Sequence, residues 1–326
     1  MRISRRWSVA SSTVPAAISA QGLRRTYGEV VAVDSLDLEV AAGEIYGFLG
    51  PNGAGKSTAV RMLCTLASMT AGEASVAGYD VNSQGDLVRL SIGVALQDAA
   101  LDGKLTGRET LNLQGRYYGL EREAIGVRID ELAPLLEMDA IDRRVSTYSG
   151  GMKRRLDLAA ALMHNPEVLF LDEPTTGLDP ISRAVVWEQI RRLNRDLGMT
   201  IFLTTQYLEE ADALTHRVGI LNQGRLVAEG TPDELKRTVG SDVVVARVTG
   251  DTEAAAAAIT QVPGISHIEI YGNEVSAATG DGASVISPVA VALSAAGVEV
   301  TDLSIHPTTL DDVFLELTGA RIEVEE

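Results

Sequence analysis

The sequence predicts an α/β fold followed by a smaller α+β domain, and three observations support this prediction. An apolar stretch, residues 44–49, leads directly into a glycine-rich loop and then into a run of helix-forming residues. A second, continuous apolar run, residues 168–174, is typical of a strand buried on both faces of a sheet. From about residue 240, a new series of short strands and helices begins.

The composition limits the functions that the chain is expected to have. Its 326 residues are 45% hydrophobic but only 4% aromatic, so we expect mainly aliphatic cores. The formal net charge of −17 disfavours nucleic acid as a partner, because phosphate backbones require a basic surface. The single cysteine, Cys64, excludes an internal disulfide. No segment approaches the roughly 20 apolar residues that a membrane-spanning helix needs.

Two short strands are predicted ahead of the glycine-rich loop, at residues 17–23 and 36–40, with Tyr27 in the turn between them. Two roles fit Tyr27. Its ring is suited to stacking on a purine, but the residue also fits as an ordinary, partly exposed tyrosine of a turn. Residues 1–16 are expected to form a disordered extension. Their paired arginines are also found in twin-arginine export signals, but residues 8–15 are too polar for the apolar part of such a signal.

The glycine-rich loop matches the pattern G-x-x-x-x-G-K-[ST], and each residue type in it has a physical reason. The glycines allow successive backbone N–H groups to point into one concavity, where they meet phosphate oxygens. Lys56 supplies a positive charge for the β and γ phosphates, and the Ser57 hydroxyl is placed to bind Mg²⁺. The helix that follows adds a dipole that favours an anion. The predicted nucleotide-binding residues of the loop are Gly50, Pro51, Asn52, Gly53, Ala54, Gly55, Lys56, Ser57 and Thr58.

The next apolar strand, residues 92–97, ends in Gln97. Ligands of open α/β sheets collect at the carboxyl ends of the strands, so we predict that Gln97 reaches a metal or water at the phosphate. A hydrogen bond from Gln97 to its own loop is the alternative. The charged, helix-prone stretch from about residue 101 to 165 then predicts a helical insertion into the α/β domain.

A serine-glycine segment lies within this insertion and precedes a predicted helix at residues 153–163. The Ser149 hydroxyl, the open backbone of Gly150 and Gly151 and the helix dipole together predict a second anion-accepting site. An ordinary helix N-cap would use the same residues, and this segment alone does not exclude it.

The apolar run at 168–174, which predicts a buried strand, closes on two carboxylates, Asp172 and Glu173. Charges at the end of an apolar strand are costly unless they meet a cation or a substrate. We therefore predict that Asp172 holds Mg²⁺ and that Glu173 accepts a proton from the attacking water. Further along the chain, Gln206 follows a predicted strand at residues 200–204 and so lies at the same ligand-bearing edge.

The remaining elements complete two predicted domains. The α/β domain is expected to span residues 17–239 and the small α+β domain residues 240–319, with a tail at 320–326. The last elements predicted for the first domain are a helix at 183–196, a hairpin at 218–228 and a helix at 231–236. The small domain shows a βαββαβ-like order and then an amphipathic stretch at 308–317, which is most simply core or docking surface.

Together, these motifs resemble those of the ATP-binding cassette (ABC) ATPases. The matching segments are Walker A (50–58), the Q-loop (Gln97), the signature motif (Ser149, Gly150, Gly151, Met152), Walker B (168–174), the D-loop (Asp179) and the switch region (204–212). Tyr27 occupies the position that stacks on adenine in this family. The tail at 307–319, with the domain before it, resembles the ATPase subunits of daunorubicin-resistance exporters. Exporters of lipids and polysaccharides have similar tails.

The resemblance implies a P-loop NTPase fold of the ABC type, with ATP and Mg²⁺ as cofactors. Ser57, Gln97 and Asp172 are then the residues around the metal, and Glu173 and Gln206 are the catalytic residues. The family usually has histidine where this chain has Gln206 and glutamine where it has Met152. A glutamine amide still donates a hydrogen bond but carries no charge, so we expect a slow but active ATPase.

The resemblance also implies partners. Two copies are expected to pair head to tail, each ATP lying between the Walker A loop of one and the signature motif of the other. The homodimer is expected to serve a separate membrane permease at the cytoplasmic face of the cell membrane, as a peripheral subunit of an exporter of hydrophobic drugs or antibiotics. Two alternatives stay open: the same role for a lipid or polysaccharide exporter, or a nucleotide switch unconnected with transport.

Overall fold

The computed structural model describes residues 16–97, 100–239, 242–306 and 308–318, so the predicted extension and the predicted tail lie almost wholly outside the described residues. The chain divides into two units between Glu229 and Gly230. This division comes earlier than the boundary predicted at 239/240.

The first unit contains two sheets. Its strands are β1 (Ala16–Tyr27), β2 (Val30–Ala41), β3 (Ile45–Leu49), β4 (Ala71–Val76), β5 (Tyr79–Asp80), β6 (Ile92–Ala95), β7 (Val168–Asp172), β8 (Thr200–Thr205), β9 (Arg217–Asn222) and β10 (Arg225–Gly230). The larger sheet has the order β10-β9-β3-β8-β7-β6, and its pairs β9/β3, β3/β8, β8/β7 and β7/β6 are all parallel. The carboxyl ends of these five strands therefore meet at one edge.

The smaller sheet of this unit is antiparallel, with the order β2-β1-β4-β5. Its first two strands are much longer than predicted, and Tyr27 ends β1 rather than occupying a separate loop. The strand bounds predicted at 17–23 and 36–40 were therefore too short, and the placement of Tyr27 in the turn between them was wrong. The pairing of β1 with β2 continues through several register shifts as far as Tyr27 and Val30. Backbone hydrogen bonding thus extends the strands into a polar stretch that shows no regular apolar alternation.

The helices of the first unit flank the larger sheet. They are α1 (Lys56–Leu63), α2 (Gly85–Ser91), α3 (Gly107–Tyr117), α4 (Arg122–Leu135), α5 (Gly150–Leu162), α6 (Pro180–Leu197) and α7 (Leu208–Leu214). Of these, α3, α4 and α5 lie in the region predicted as a helical insertion. A capping box between Thr106 and Glu109 fixes the start of α3. Leu111, Ile129 and Leu156 pack within one core cluster with β7 and β8 residues.

The larger sheet is buried on both faces, as the continuous apolar run at 168–174 predicts. All residues of β3, β7 and β8 are buried. Three of the four phenylalanines meet in the core beneath the smaller sheet: the Phe202 ring centroid lies 4.9 Å from that of Phe48 and 5.5 Å from that of Phe170. This packing holds the strand ends, and the side chains that follow them, at fixed positions.

The second unit is an α+β domain with a four-stranded antiparallel sheet, which confirms the predicted fold class. Its elements are α8 (Pro232–Val239), β11 (Asp242–Thr249), α9 (Thr252–Thr260), β12 (Ile265–Tyr271), β13 (Glu274–Thr279), α10 (Gly282–Ala295), β14 (Glu299–His306) and α11 (Leu310–Thr318). The sheet order is β12-β13-β11-β14. The α8 helix, which we predict as the last helix of the first domain, packs instead against α11.

None of the helices in the described part of the chain combines the length and the apolar character that a membrane span requires.

Candidate functional site

The site begins at the loop between β3 and α1, where two glycines are required by the backbone. A Cβ atom on Gly50 would lie far inside contact distance of the carbonyl oxygen of Leu221. Gly55 has a φ of +103°, and a Cβ atom there would collide with the carbonyl oxygen of Ala32. No other residue fits these positions without strain, so local geometry accounts for the glycines of the motif. The loop then leads directly into the N-terminus of α1 at Lys56.

Lys56 is buried inside this loop and already has several partners. Its Nζ atom donates to the carbonyl oxygens of Gly50 (2.7 Å) and Pro51 (3.2 Å). It also lies 3.3 Å from Oε1 of Glu173, in an ion pair whose two side chains are both buried. Burial lowers the pKa of Lys56, and the charge of Glu173 opposes this effect. The ion pair joins the loop to the end of β7.

Asp172, the last residue of β7, accepts two hydroxyl hydrogen bonds through a single oxygen. Its Oδ1 atom lies 3.1 Å from the donor Ser57 Oγ and 2.5 Å from the donor Thr204 Oγ1. Hydroxyl and carboxylate oxygens are the ligands that Mg²⁺ prefers, and the chemistry of Ser57 and Asp172 therefore fits this ion. The structure thus brings together two of the three residues predicted around the metal.

Glu173 stands directly after the strand in an unusual backbone conformation. Its φ of +48° lies in the left-handed region, which non-glycine residues rarely adopt. Its backbone N–H is held by Thr204, through the carbonyl oxygen and the hydroxyl at 3.1 Å each, and Thr176 Oγ1 donates to its Oε2 at 3.3 Å. Backbone and side-chain contacts together turn this carboxylate back toward the loop and Lys56.

Gln206 follows the end of β8, at the same edge as Asp172. Its side chain is only 4% exposed, and among the described residues no donor lies within hydrogen-bond distance of its Oε1 atom. A buried amide oxygen without a partner is costly, which makes this side chain a candidate for rearrangement around a ligand. The backbone N–H of Gly50 donates to the carbonyl oxygen of Thr205 at 3.4 Å and so connects the loop with this strand end.

Two predicted residues lie at the surface. Gln97 follows β6 and is exposed. Tyr27, at the end of β1, is 46% exposed, and the guanidinium of Arg25 lies 4.5 Å from its ring centroid. Tyr27 therefore presents an aromatic surface beside a positive charge. The roles predicted for both residues remain predictions.

The serine-glycine segment forms a helix N-terminus. Ser149 caps α5, since its Oγ atom accepts a hydrogen bond from the Met152 backbone N–H at 3.3 Å. A Cβ atom on Gly151 would come within 3.2 Å of Ser182 Oγ, close to the predicted D-loop. The segment therefore packs against the start of α6, and within this chain Ser149 has the contacts of an N-cap.

Asp179 caps α6 in a similar way. Its carboxylate accepts hydrogen bonds from the Ser182 backbone N–H at 2.9 Å and from Ser182 Oγ at 2.6 Å, and these bonds lower the pKa of Asp179. Its position is thus fixed by the first turn of the helix. In the structure Lys56, Ser57, Asp172 and Glu173 form one contact network, whereas Ser149 and Asp179 belong to a neighbouring surface.

Sequence reasoning missed the role of two buried residues. Thr204 donates to Asp172 and accepts from the N–H of Glu173, so it sets the positions of both carboxylates. Arg154, in α5, donates to the carbonyl oxygen of Leu96 (2.7 Å) and to Asp157 Oδ2 (3.0 Å), and thereby joins the helix to the end of β6. A threonine at the ligand-bearing end of a strand was the available signal for Thr204; for Arg154 there was none.

Comparisons with protein families assign both units. Residues 33–176 match the family model described as ABC transporter. Residues 230–318 match the model described as the C-terminal domain of DrrA1-3-like ATP-binding proteins. The start of this second match agrees with the division that the structure places between Glu229 and Gly230.

Individual relatives cover nearly the whole chain. The daunorubicin resistance ATP-binding protein DrrA3 of Streptomyces coeruleorubidus is 47% identical over 95% of this chain and 98% of its own length. A Nod factor export ATP-binding protein I of a Rhizobium species is 39% identical over 94% of this chain and 98% of its own length. Among solved structures, a dimeric post-hydrolysis ATP-binding cassette with bound ADP and Pi is 25% identical. It aligns with a TM-score of 0.60 over 66% of this chain and 98% of that one.

Proposed function

The chain belongs to the ABC transporter family of ATP-binding proteins, and from this premise we propose that it powers a separate membrane permease that exports hydrophobic drugs or antibiotics. As a member of that family it is an ATPase that binds ATP. The observation that carries the proposal is the similarity to a daunorubicin resistance protein, which extends through both units with almost no unmatched length. The match of residues 230–318 to the C-terminal domain model therefore supports the proposal alongside the match of the ATPase unit.

The buried network supports a division of roles in hydrolysis. When bound, Mg²⁺ would supply charge that neutralises the phosphates, and Ser57 and Asp172 would hold it. Lys56, which in this structure contacts two carbonyl oxygens and Glu173, would turn to the β and γ phosphates. This movement would release Glu173 to orient the attacking water and to accept its proton. Gln206 would use its buried amide to donate to the γ-phosphate.

We further propose that two copies of the chain complete each site. Ser149, Gly150, Gly151 and Met152 of one copy would face the nucleotide held by the glycine loop of the other. The N-terminus of α5 offers backbone N–H groups and a favourable dipole for this purpose. Asp179, fixed as the N-cap of α6, would lie at the same interface. Met152 provides no side-chain amide, so Ser149 and the backbone would make these contacts.

The same kinship supports our proposals for the location and the partner. ABC cassettes dimerise and act with a permease, and we propose that this one does so as a homodimer bound peripherally to the cytoplasmic face of the cell membrane. A second cargo class is supported by the similarity to a Nod factor export protein, which is nearly as extensive as that to the drug-resistance protein. Export of a lipid or polysaccharide, whose exporters have similar C-terminal tails, is the alternative.

The proposal is tested first by hydrolysis. We expect Mg-ATPase activity in the purified wild-type protein and a loss of about 10²- to 10⁴-fold in Glu173→Gln, with ATP binding retained. Lys56→Ala should lose binding itself. Equal hydrolysis by wild type and Glu173→Gln would contradict the assignment of the base.

Cargo is tested in cells that contain the chain together with its cognate permease. Drug accumulation should fall when both proteins are present, and Glu173→Gln should abolish this effect. Unchanged drug accumulation, combined with export of a labelled lipid or polysaccharide, would favour the alternative. No effect on any cargo, with full ATPase activity, would contradict export.

A further inference from the structure

A buried carboxylate outside the proposed chemistry joins three elements of the first unit. Glu210 lies in α7, and its side chain is 0% exposed. Its Oε1 atom accepts hydrogen bonds from Thr175 Oγ1 at 2.7 Å and from Trp187 Nε1 at 2.8 Å. Thr175 lies in the loop after β7, and Trp187 lies in α6. One oxygen thus connects the loop, α6 and α7.

Each of these elements carries a residue of the proposed site. The loop begins with Glu173 and ends with Asp179, the cap of α6, and Gln206 stands just before α7. Water cannot replace a lost partner of a fully buried carboxylate, so breaking either hydrogen bond is costly. The segment that contains Gln206 and the loop that contains Glu173 are therefore constrained to move together.

Other groups reinforce the same connection. Burial raises the pKa of Glu210, and the hydroxyls of Thr205 and Thr175, the indole of Trp187 and the charge of Arg183 oppose the rise. Arg183, on α6, also stacks over the ring of Tyr207, with 4.3 Å from its guanidinium carbon to the ring centroid. A second contact thus links α6 to the residue directly after Gln206.

We propose that Glu210 is a positioning residue. It couples the movements of Gln206, Glu173 and Asp179 when nucleotide binds. The proposal rests on the proposed ATPase function. Glu210 itself touches neither nucleotide nor metal in this scheme. It acts through Thr175 and Trp187, whose hydrogen bonds transmit the movement of α7 to the loop after β7. The hydrogen bonds need an acceptor oxygen at this position rather than a negative charge.

Kinetics with matched variants tests the positioning role. Glu210→Ala should lower kcat at saturating Mg-ATP by at least about tenfold, whereas its Kd for ATP should change by less than about threefold. Glu210→Gln should keep most of the activity, because its amide oxygen accepts the same two hydrogen bonds. Glu209→Ala, at the exposed neighbouring position on α7, is the control and should behave as wild type.

Two milder variants test the same hydrogen bonds in case Glu210→Ala does not fold. Thr175→Val and Trp187→Phe each remove one donor while filling most of the original volume, and each should lower kcat by a smaller factor than Glu210→Ala. Combining Thr175→Val with Glu210→Ala should add little further loss, because Thr175 acts through the carboxylate. Additive losses, or a wild-type kcat in all three single variants, would overturn the proposal.

Intrinsic fluorescence supplies a readout that a purely structural role would not change. The chain has two tryptophans, so a Trp7→Phe background leaves Trp187 as the single indole. Mg-ATP should then shift the emission of Trp187, and the shift should persist in Glu210→Gln but disappear in Glu210→Ala. An equal shift in Glu210→Ala would overturn the proposal. If the wild-type protein itself neither bound nor hydrolysed ATP, the proposed function would fail instead, so the two failures are distinguishable.

Discussion

Replacing Thr204 by valine removes one hydroxyl from the centre of the site and keeps the shape of the side chain. That hydroxyl donates to Asp172 Oδ1 at 2.5 Å and accepts from the N–H of Glu173 at 3.1 Å. Hydrogen bonds to charged groups contribute about 1.5–3 kcal/mol. At about 1.36 kcal/mol for each factor of ten, loss of the bond to Asp172 corresponds to about 10- to 150-fold. We expect a decrease of this size in kcat and a higher Mg²⁺ concentration for half-maximal activity.

The assay is Mg-ATPase activity as a function of Mg²⁺ concentration, together with binding of a fluorescent ATP analogue in the absence of the metal. Binding of the analogue without metal should be nearly unchanged in Thr204→Val, because the Thr204 hydroxyl contacts Asp172 and Glu173 rather than the glycine loop. Thr200→Val is the matched control. Thr200 is a buried threonine at the opposite end of β8, where its Oγ1 accepts from Gly43 N–H. If both variants showed the same kcat and the same Mg²⁺ dependence, the role derived for Thr204 would be wrong.

Three further predictions concern single positions. Gly55→Ala should abolish ATP binding in a titration with the nucleotide analogue, because its Cβ atom meets the carbonyl of Ala32 and its φ is +103°. Gln206→His should make kcat depend on pH around the usual imidazole pKa of about 6.5, whereas the wild-type profile should be flat there. Burial raises the pKa of Asp157 from 3.8 to about 6 despite the opposing charge of Arg154. The folded state then binds the proton more tightly, so the stability of wild type relative to Asp157→Asn should fall as pH rises from about 4 to about 6 in denaturant titrations.

The parts of the fold that are contiguous in sequence were predictable. The strand, the glycine loop and the helix around Lys56 follow one another directly, so one continuous segment of the sequence determines both their chemistry and their geometry. The same holds for Asp172 and Glu173, because carboxylates at the end of a buried strand are stable only beside a cation, a donor or a substrate. By contrast, the length of β1 and β2 depends on hairpin pairing through bulges. The assignment of α8 to the second unit depends on α11, which lies about 70 residues later and supplies the partner surface.

Sequence patterns could not predict the hydrogen bonds within the site, because these bonds join side chains from different elements. Glu209 and Glu210 show the reason most clearly, since two adjacent glutamates at the start of a helix indicate only a favourable dipole interaction. In the structure Glu209 is exposed, while Glu210 is fully buried between Thr175 and Trp187. The difference arises from the packing of α7 against α6 and the loop after β7. A carboxylate links elements in this way only when those elements bury it and supply its hydrogen-bond donors, and this burial is a property of the assembled fold.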